Sequence, residues 1–253
     1  MEHTLPIAGF VLGLCVGLTS MGGGSLMAPF LILIVGVRPV VAVGTDLAYG
    51  AITKLFGAAV HWHEDTVDFG AVKTLAIGSV PGGILAALAV PVLSARGFDM
   101  DAILRHAIGI VLVFVAVLLL LRLAFVDRFR QPRVWFPRLH RAATSVFGAI
   151  AGVAVGLTSI GSGSLITPFL MMMYPMSAAR VVGTDLFHAA ILVSVTAIVH
   201  AGSGSVDWIL MSRLLVGSVP GVVLGSWLAP RLPAPVLRLG LVSVLLTSGL
   251  KLM

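Results

Sequence analysis

The sequence contains little charge: 10% of its 253 residues are Asp, Glu, Lys or Arg, whereas 58% are hydrophobic. So few polar side chains cannot cover the surface of a soluble globule of this size. The mean hydropathy of +1.11 points the same way. The composition therefore excludes a soluble domain and predicts a chain that lies in a lipid bilayer.

Cysteine and the common catalytic motifs are also scarce. Cys15 is the only cysteine, which excludes an intrachain disulfide and a cysteine-based metal site. The sequence has no P-loop, no His-Glu-x-x-His motif and no Ser-His-Asp order. The segment from His61 to Asp65 mixes histidines and acids, but its repeat partner does not, so we interpret it as an interfacial loop. We expect no enzyme, no metal and no cofactor.

Long apolar runs are present instead, for example at 70–92, 107–121 and 178–199. A helix needs about 20 apolar residues to cross about 30 Å of hydrocarbon, and barrel strands would be shorter and alternating. We therefore predict an all-α polytopic membrane protein.

Basic residues gather near the midpoint of the chain. They are Arg122, Arg128, Arg130, Arg133, Arg138 and Arg141. Such a cluster is typical of a cytoplasmic loop that follows the positive-inside rule. Because no basic face with interleaved aromatics occurs elsewhere, we expect no nucleic-acid binding.

The chain contains an internal repeat. The segment GLTSMGGGSLMAPFL, which begins at Gly17, returns as GLTSIGSGSLITPFL at Gly156. The shift in numbering that takes Gly17 to Gly156, here called the repeat offset, also relates Gly-Thr-Asp at 44–46 to 183–185, and Gly-Ser-Val-Pro-Gly at 78–82 to 217–221. Duplicated apolar segments with glycine and proline at matching places are typical of transporters built from two structural repeats.

Each half contains five apolar segments, which predicts 8–10 transmembrane helices. The segments are 5–20, 25–37, 40–60, 70–91 and 102–124, then 143–159, 164–175, 179–200, 208–229 and 234–252. We divide the chain into transmembrane repeat 1 (1–125), a basic cytoplasmic linker (126–141) and transmembrane repeat 2 (142–253). The first two segments of each half are short, so we expect broken helices at the glycine-rich turns between them.

Two orientations of the repeats relative to each other remain open. If the short segments cross fully or form hairpins, each half crosses an odd number of times and the repeats are inverted, with both termini outside. If each short pair makes one broken crossing, the repeats are parallel. We expect the inverted arrangement, and the arginine distribution partly supports it. In that arrangement Arg180 and Arg231 fall on the cytoplasmic side of the membrane, whereas Arg38 and Arg96 fall on the outer side.

The glycine-rich turns are our candidate anion site. Helix N-termini there would present unpaired N–H groups and a positive dipole end, and hydroxyls add neutral donors. In the alternative, Ser25 and Ser164 merely cap helices. The predicted substrate-binding residues of the turns are Thr19, Ser20, Gly22, Gly23, Gly24, Ser25, Thr158, Ser159, Gly161, Ser162, Gly163 and Ser164.

The duplicated Thr-Asp pairs lie inside apolar segments, where a carboxylate is costly and marks function by default. Asp46 and Asp185 have three possible roles: proton carrier, ligand of a coupling cation such as sodium, or structural acceptor. We add Thr45 and Thr184 to the substrate-binding set.

The repeats differ at two positions near the aspartates. Lys54 corresponds to Val193, and His188 corresponds to Tyr49. Lys54 is a candidate for attracting an anion, and its alternatives are snorkelling or pairing with Asp46. His188 is a candidate proton relay with Asp185, and its alternative is a structural histidine.

The segments GGGSLMAPFL, VGTDLAYGAITK and GSVPG, with their second copies, resemble the sulfite exporter TauE/SafE family, the group similar to 4-toluene sulfonate uptake permeases. The resemblance covers nearly the whole chain. It implies transport of sulfite, thiosulfate, sulfoacetate or another organosulfonate across the bacterial inner membrane, with the direction left open.

Together these observations predict a secondary transporter of a small sulfur-containing anion, coupled to protons through Asp46 or Asp185. Three alternatives stay open: a cation transporter that uses both aspartates as ligands, a passive anion channel and a membrane scaffold. The expected partners are the anion, a coupling proton or sodium ion and the lipid bilayer, and the oligomeric state is open.

Overall fold

The computed structural model describes residues 4–19, 24–125, 137–228 and 234–253, and these residues form helices and short connections without any strand. The helices are α1 (Thr4–Thr19), α2 (Gly24–Phe30), α3 (Pro39–His63), α4 (Phe69–Ala95), α5 (Met100–Phe125), α6 (Pro137–Thr158), α7 (Ile166–Met173), α8 (Ala178–Gly202), α9 (Trp208–Leu228) and α10 (Ala234–Leu252). A π-helical segment, Leu31–Val35, extends α2. The predicted all-α architecture is confirmed.

Within the described ranges, six helices are long and apolar enough to span a membrane. They are α3, α4, α5, α6, α8 and α9. Shorter apolar helical stretches occur at Leu5–Leu18, Ser25–Val35 and Leu239–Leu252. The chain is a multi-pass membrane protein.

The helix boundaries follow the predicted segments closely, with one difference at the linker. Helix α6 begins at Pro137, inside the range 126–141 that we assigned to the linker. Proline suits a first helical turn because its missing N–H would be unpaired there anyway. The arginines at 128, 130 and 133 lie outside the described residues.

Glycines bring two pairs of helices into backbone contact. A Cβ atom on Gly9 of α1 would lie 2.5 Å from the carbonyl oxygen of Leu214 in α9. A Cβ on Gly148 of α6 would lie 2.5 Å from the carbonyl oxygen of Leu75 in α4. These two contacts are equivalent under the repeat offset, so each repeat inserts its first helix against the fourth helix of the other. Such packing suits a bilayer, where close backbone approach replaces the hydrophobic effect.

Equivalent helices of the two halves meet in antiparallel directions. On α3, Gly50 approaches Val193 of α8, and Gly57 approaches Leu186, so the numbering rises on one helix as it falls on the other. Inverted repeats require this relation between their equivalent helices. The antiparallel contact supports inversion, and the orientation of the halves across a bilayer stays a prediction.

Candidate functional site

Helices α3 and α8 place the two Gly-Thr-Asp motifs in the interior of the protein. Asp46 is 1% exposed and Asp185 is 5% exposed. The turn between α6 and α7 packs beside them, since Ser159 lies next to Asp46 and Thr167 contacts Asp185. The antiparallel pair of helices thus combines both duplicated carboxylates with the second glycine-rich turn.

Lys54 joins this cluster from α3. Its side chain is buried, and its Nζ donates a hydrogen bond of 2.5 Å to Oγ of Ser162 in the α6–α7 turn. Both Asp46 and Asp185 interact with it electrostatically. Among the described residues, neither carboxylate comes within 4 Å of Nζ to form an ion pair. The buried Lys54 side chain thus interacts with two buried aspartates, and its hydrogen-bond partner is a hydroxyl.

The two aspartates have unequal surroundings. Thr167 of α7 donates a hydrogen bond to Oδ2 of Asp185. The equivalent position in the first repeat is Ala28, which has no hydroxyl to donate. Both oxygens of Asp46 are buried without a hydrogen-bond partner in the described part of the chain, although the Ser159 hydroxyl lies nearby. The duplication supplied two carboxylates, and one threonine distinguishes them.

Thr45 and Thr184 connect the repeats. The hydroxyl of Thr184 accepts a hydrogen bond of 2.9 Å from the backbone N–H of Asp68, and that of Thr45 accepts one of 3.0 Å from Asp207. Asp68 is the N-cap of α4, and Asp207 accepts from the first turn of α9. Each threonine thus fixes the start of a helix in the other half. The two threonines therefore have a structural role, and their contact with substrate stays a prediction.

His188 contacts α4 instead of sharing a hydrogen bond with Asp185. Its Nε2 lies 2.7 Å from Oγ of Ser79, and both side chains are buried. Tyr49, its counterpart in the first repeat, lies beside Ser218, the counterpart of Ser79. Sequence reasoning missed this pair of serines, although the repeated Gly-Ser-Val-Pro-Gly motif was a usable signal.

The α6–α7 turn has an unusual backbone. Ser159 adopts a left-handed φ of 61°, and Gly161 and Gly163 have φ values of 122° and 146°. A left-handed φ costs a serine about 1–2 kcal/mol relative to glycine, and such strain is concentrated at functional sites. The turn requires the flexibility that its glycines provide.

The serine and threonine residues of this turn divide into two groups. The hydroxyl of Thr158 donates to the Ala154 carbonyl and accepts from the Ile160 N–H, so it stabilises the helix end. Ser162 meets Lys54, and the buried hydroxyl of Ser164 has no partner within the described residues. Ser164 does not cap α7, because that helix begins at Ile166 and its N-cap is Leu165.

The first glycine-rich turn is only partly described. Helix α2 begins at Gly24, and Ser25 is buried in it. The side chain of Thr19, and residues Ser20, Gly22 and Gly23, lie outside the described residues. The contacts given for the interior site are therefore those of the second glycine-rich turn, between α6 and α7.

No group of three or more histidine, cysteine, aspartate or glutamate side chains is placed to hold a metal ion in the described ranges. The polar groups of the interior cluster are a lysine, two carboxylates, hydroxyls and a histidine.

Comparison with known proteins gives a consistent result. The family model "Sulfite exporter TauE/SafE" matches residues 5–252. The chain is 44% identical to a probable membrane transporter protein, YjnA, of Bacillus subtilis (strain 168), over the full length of both chains. It is 28% identical to the probable membrane transporter protein YdhB of the same organism, over 90% of this chain and 91% of YdhB. A probable membrane transporter protein of Xylella fastidiosa is 27% identical over 90% of this chain and 84% of its own length.

No solved structure matches the chain significantly. The family model covers almost every residue, and the interior site lies within the matched range. The chain belongs to the sulfite exporter TauE/SafE family of membrane transporters.

Proposed function

We propose that this protein is a secondary transporter that moves a small sulfur-containing oxyanion across the bacterial inner membrane, with proton coupling. Sulfite, thiosulfate and organosulfonates such as sulfoacetate share the chemistry of the proposed substrate, a sulfur centre with exposed anionic oxygens. The observation that carries the proposal is the buried side chain of Lys54, which donates a hydrogen bond to the hydroxyl of Ser162 and interacts electrostatically with Asp46 and Asp185.

Lys54 offers the attraction that an anion needs in the protein interior. An isolated anion is costly to bury unless a charge or hydrogen-bond donors replace its water. At an effective dielectric constant of about 20, two opposite unit charges 4 Å apart attract each other by about 4 kcal/mol. The hydroxyls of Ser162 and Ser164 lie on the same turn and add donors without adding charge.

The carboxylates supply the reason for coupling. With both aspartates ionised, the cluster of Lys54, Asp46 and Asp185 carries a net negative charge, which repels an anion. Protonation of one carboxyl group removes that repulsion, so anion binding and proton binding favour each other. We assign the exchangeable proton to Asp46, because its oxygens have no hydrogen-bond partner among the described residues, whereas Thr167 holds Asp185.

The test is uptake of labelled sulfite and thiosulfate into proteoliposomes of the purified protein, with and without an imposed pH gradient. We expect saturable flux that increases with the gradient, and loss of that increase in Asp46→Asn. The matched control is Asp65→Asn, which makes the same chemical change at an exposed loop carboxylate. Asparagine tolerates the left-handed φ of 51° found there.

The same experiment separates the alternatives. Flux that does not saturate and ignores the gradient would identify a passive channel. A cation transporter is the second candidate, because the oxygens of Asp46 lack partners within the described residues. It requires binding of sodium in the absence of any anion, and the positive charge of Lys54 beside the carboxylates opposes such binding.

A further inference from the structure

A cavity of about 690 Å³ lies between the first turns of α4 and α6 and the connection from α7 to α8. Lys73, His140, Arg141 and Tyr174 are among its lining residues. It contains none of the side chains of the interior cluster around Lys54. The proposed transport site therefore does not account for this cavity.

The lining of this cavity is basic. Lys73 and Arg141 are exposed, and neither forms an ion pair in the described part of the chain. The carboxylate that lines the cavity, Asp68, already lies 3.7 Å from the guanidinium group of Arg180. Two cationic side chains are thus available to a ligand, while the nearby negative charge is offset.

The hydroxyl groups of the wall are engaged within the protein. Tyr174 donates to Oγ1 of Thr144 at 3.1 Å, and partial burial raises the pKa of its phenol, so it stays protonated. Ser145 donates to the carbonyl oxygen of Thr74 at 2.9 Å. The ring of His140 packs edge-on against Tyr174 with centroids 4.5 Å apart. These contacts make a fixed wall and leave Lys73 and Arg141 as the groups that meet a ligand.

The basic lining is not part of the duplicated scaffold. Under the repeat offset, the basic residues Lys73, Arg141 and Arg180 correspond to residues without positive charge. These are Ser212, Glu2 and Val41. Packing of the repeats alone therefore does not require basic groups at these three positions.

The depth of the cavity in the membrane follows from the helices that form it. The candidate spans Phe69–Ala95 and His140–Thr158 both begin at the cavity, so it lies where two spans meet the membrane surface. Ile77 is one turn beyond Lys73 and 62% exposed, and Val146 and Ile150 on α6 are 62% and 64% exposed. An apolar strip thus leads from the basic cavity along the hydrocarbon-facing side of the helices.

We propose that this cavity binds the phosphate headgroup of an anionic phospholipid, with Lys73 and Arg141 on the phosphate and the acyl chains along Ile77, Val146 and Ile150. Basic pockets between transmembrane helices at the membrane surface bind such headgroups. A free anion would gain nothing from the apolar strip, which is why a lipid fits better than a soluble phosphate. The leaflet is the one that faces the basic linker, because α6 follows that linker directly.

The test measures lipid retention by the purified full-length protein after exchange into mixed micelles that contain phosphatidylglycerol and phosphatidylcholine. Native mass spectrometry counts the bound lipids. Each basic side chain near a membrane surface is worth about fivefold in affinity for an anionic lipid, so Lys73→Gln/Arg141→Gln should lower phosphatidylglycerol retention about 25-fold. The matched control, Arg96→Gln/Lys251→Gln, removes one arginine and one lysine elsewhere and should retain the lipid.

Three results would overturn the proposal. The first is equal retention of the two lipids by the unmodified protein, and the second is an equal loss in both double variants. The third is displacement of phosphatidylglycerol by millimolar inorganic phosphate, which would identify a site for a free anion. None of these outcomes depends on which anion the protein transports, so failure here leaves the proposed transport function standing.

Discussion

Lys54→Met removes the positive charge that acts on Asp46 and Asp185 while keeping an unbranched apolar side chain of similar length. If Lys54 binds the transported anion, the variant loses a charge-assisted hydrogen bond. Such a bond contributes about 1.5–3 kcal/mol net, which corresponds to about 10- to 150-fold in Kd. The hydroxyl of Ser162 also loses its 2.5 Å donor, but it retains its own proton to donate.

The assay is titration of the purified variant with sulfite and with thiosulfate, together with the KM of flux into proteoliposomes. Lys54→Arg should keep part of the affinity because it keeps the charge, although its planar guanidinium group fits the same space less well. Lys251→Met makes the same chemical change at an exposed helix end and should leave Kd unchanged. Thermal unfolding of each variant in detergent checks that loss of binding is not loss of fold.

The double variant Lys54→Met/Val193→Lys moves the ammonium group to the equivalent position on α8. Because the surroundings of the two positions differ, for example in Thr167, whose counterpart is Ala28, we expect this exchange to restore little of the lost affinity. A folded Lys54→Met variant with unchanged Kd and KM for both anions would refute the reasoning. Lys54 would then serve only to offset the two carboxylates.

Two further predictions concern the aspartates and the helix packing. Asp46→Asn should abolish the response of flux to a pH gradient while anion binding persists, whereas Asp185→Asn should keep that response because Asp46 still carries the exchangeable proton. Equal pH responses in both variants would contradict this division of roles. Gly152→Ala places a methyl group against a backbone carbonyl of α4 and should lower the stability of the protein by about 1–3 kcal/mol in thermal unfolding. Gly240→Ala is the control: its new methyl group meets no atom within 4 Å, so its stability should stay the same or rise slightly.

Composition and periodicity were enough to predict the class of fold. A chain with 10% charged residues and apolar runs of about 20 residues has few stable arrangements other than a bundle of membrane helices. The helix ends were also predictable within a few residues. The exception, α6, begins earlier than the apolar pattern because its first residues are polar and follow Pro137.

The duplication selected the candidate residues, but it did not predict how they are placed relative to one another. The repeat offset identified the Thr-Asp pairs and the glycine-rich turns, since these local patterns survive in both copies. It did not predict that Thr45 and Thr184 hold helix starts in the opposite repeats. Those contacts join residues 116 and 162 positions apart, and no local pattern records them.

The sequence by itself determined the membrane class, the internal repeat, the family resemblance and the residues that differ between the copies. Only the tertiary structure showed which of these residues are in contact. It brings Lys54 to Ser162 and Thr167 to Asp185, and it leaves both oxygens of Asp46 without a hydrogen bond within the described residues. The physical reason is that composition and spacing set how each segment folds and whether it enters lipid. The partner of a buried polar group depends instead on helices far apart in the chain, whose contacts are set by glycine-mediated packing between the two halves.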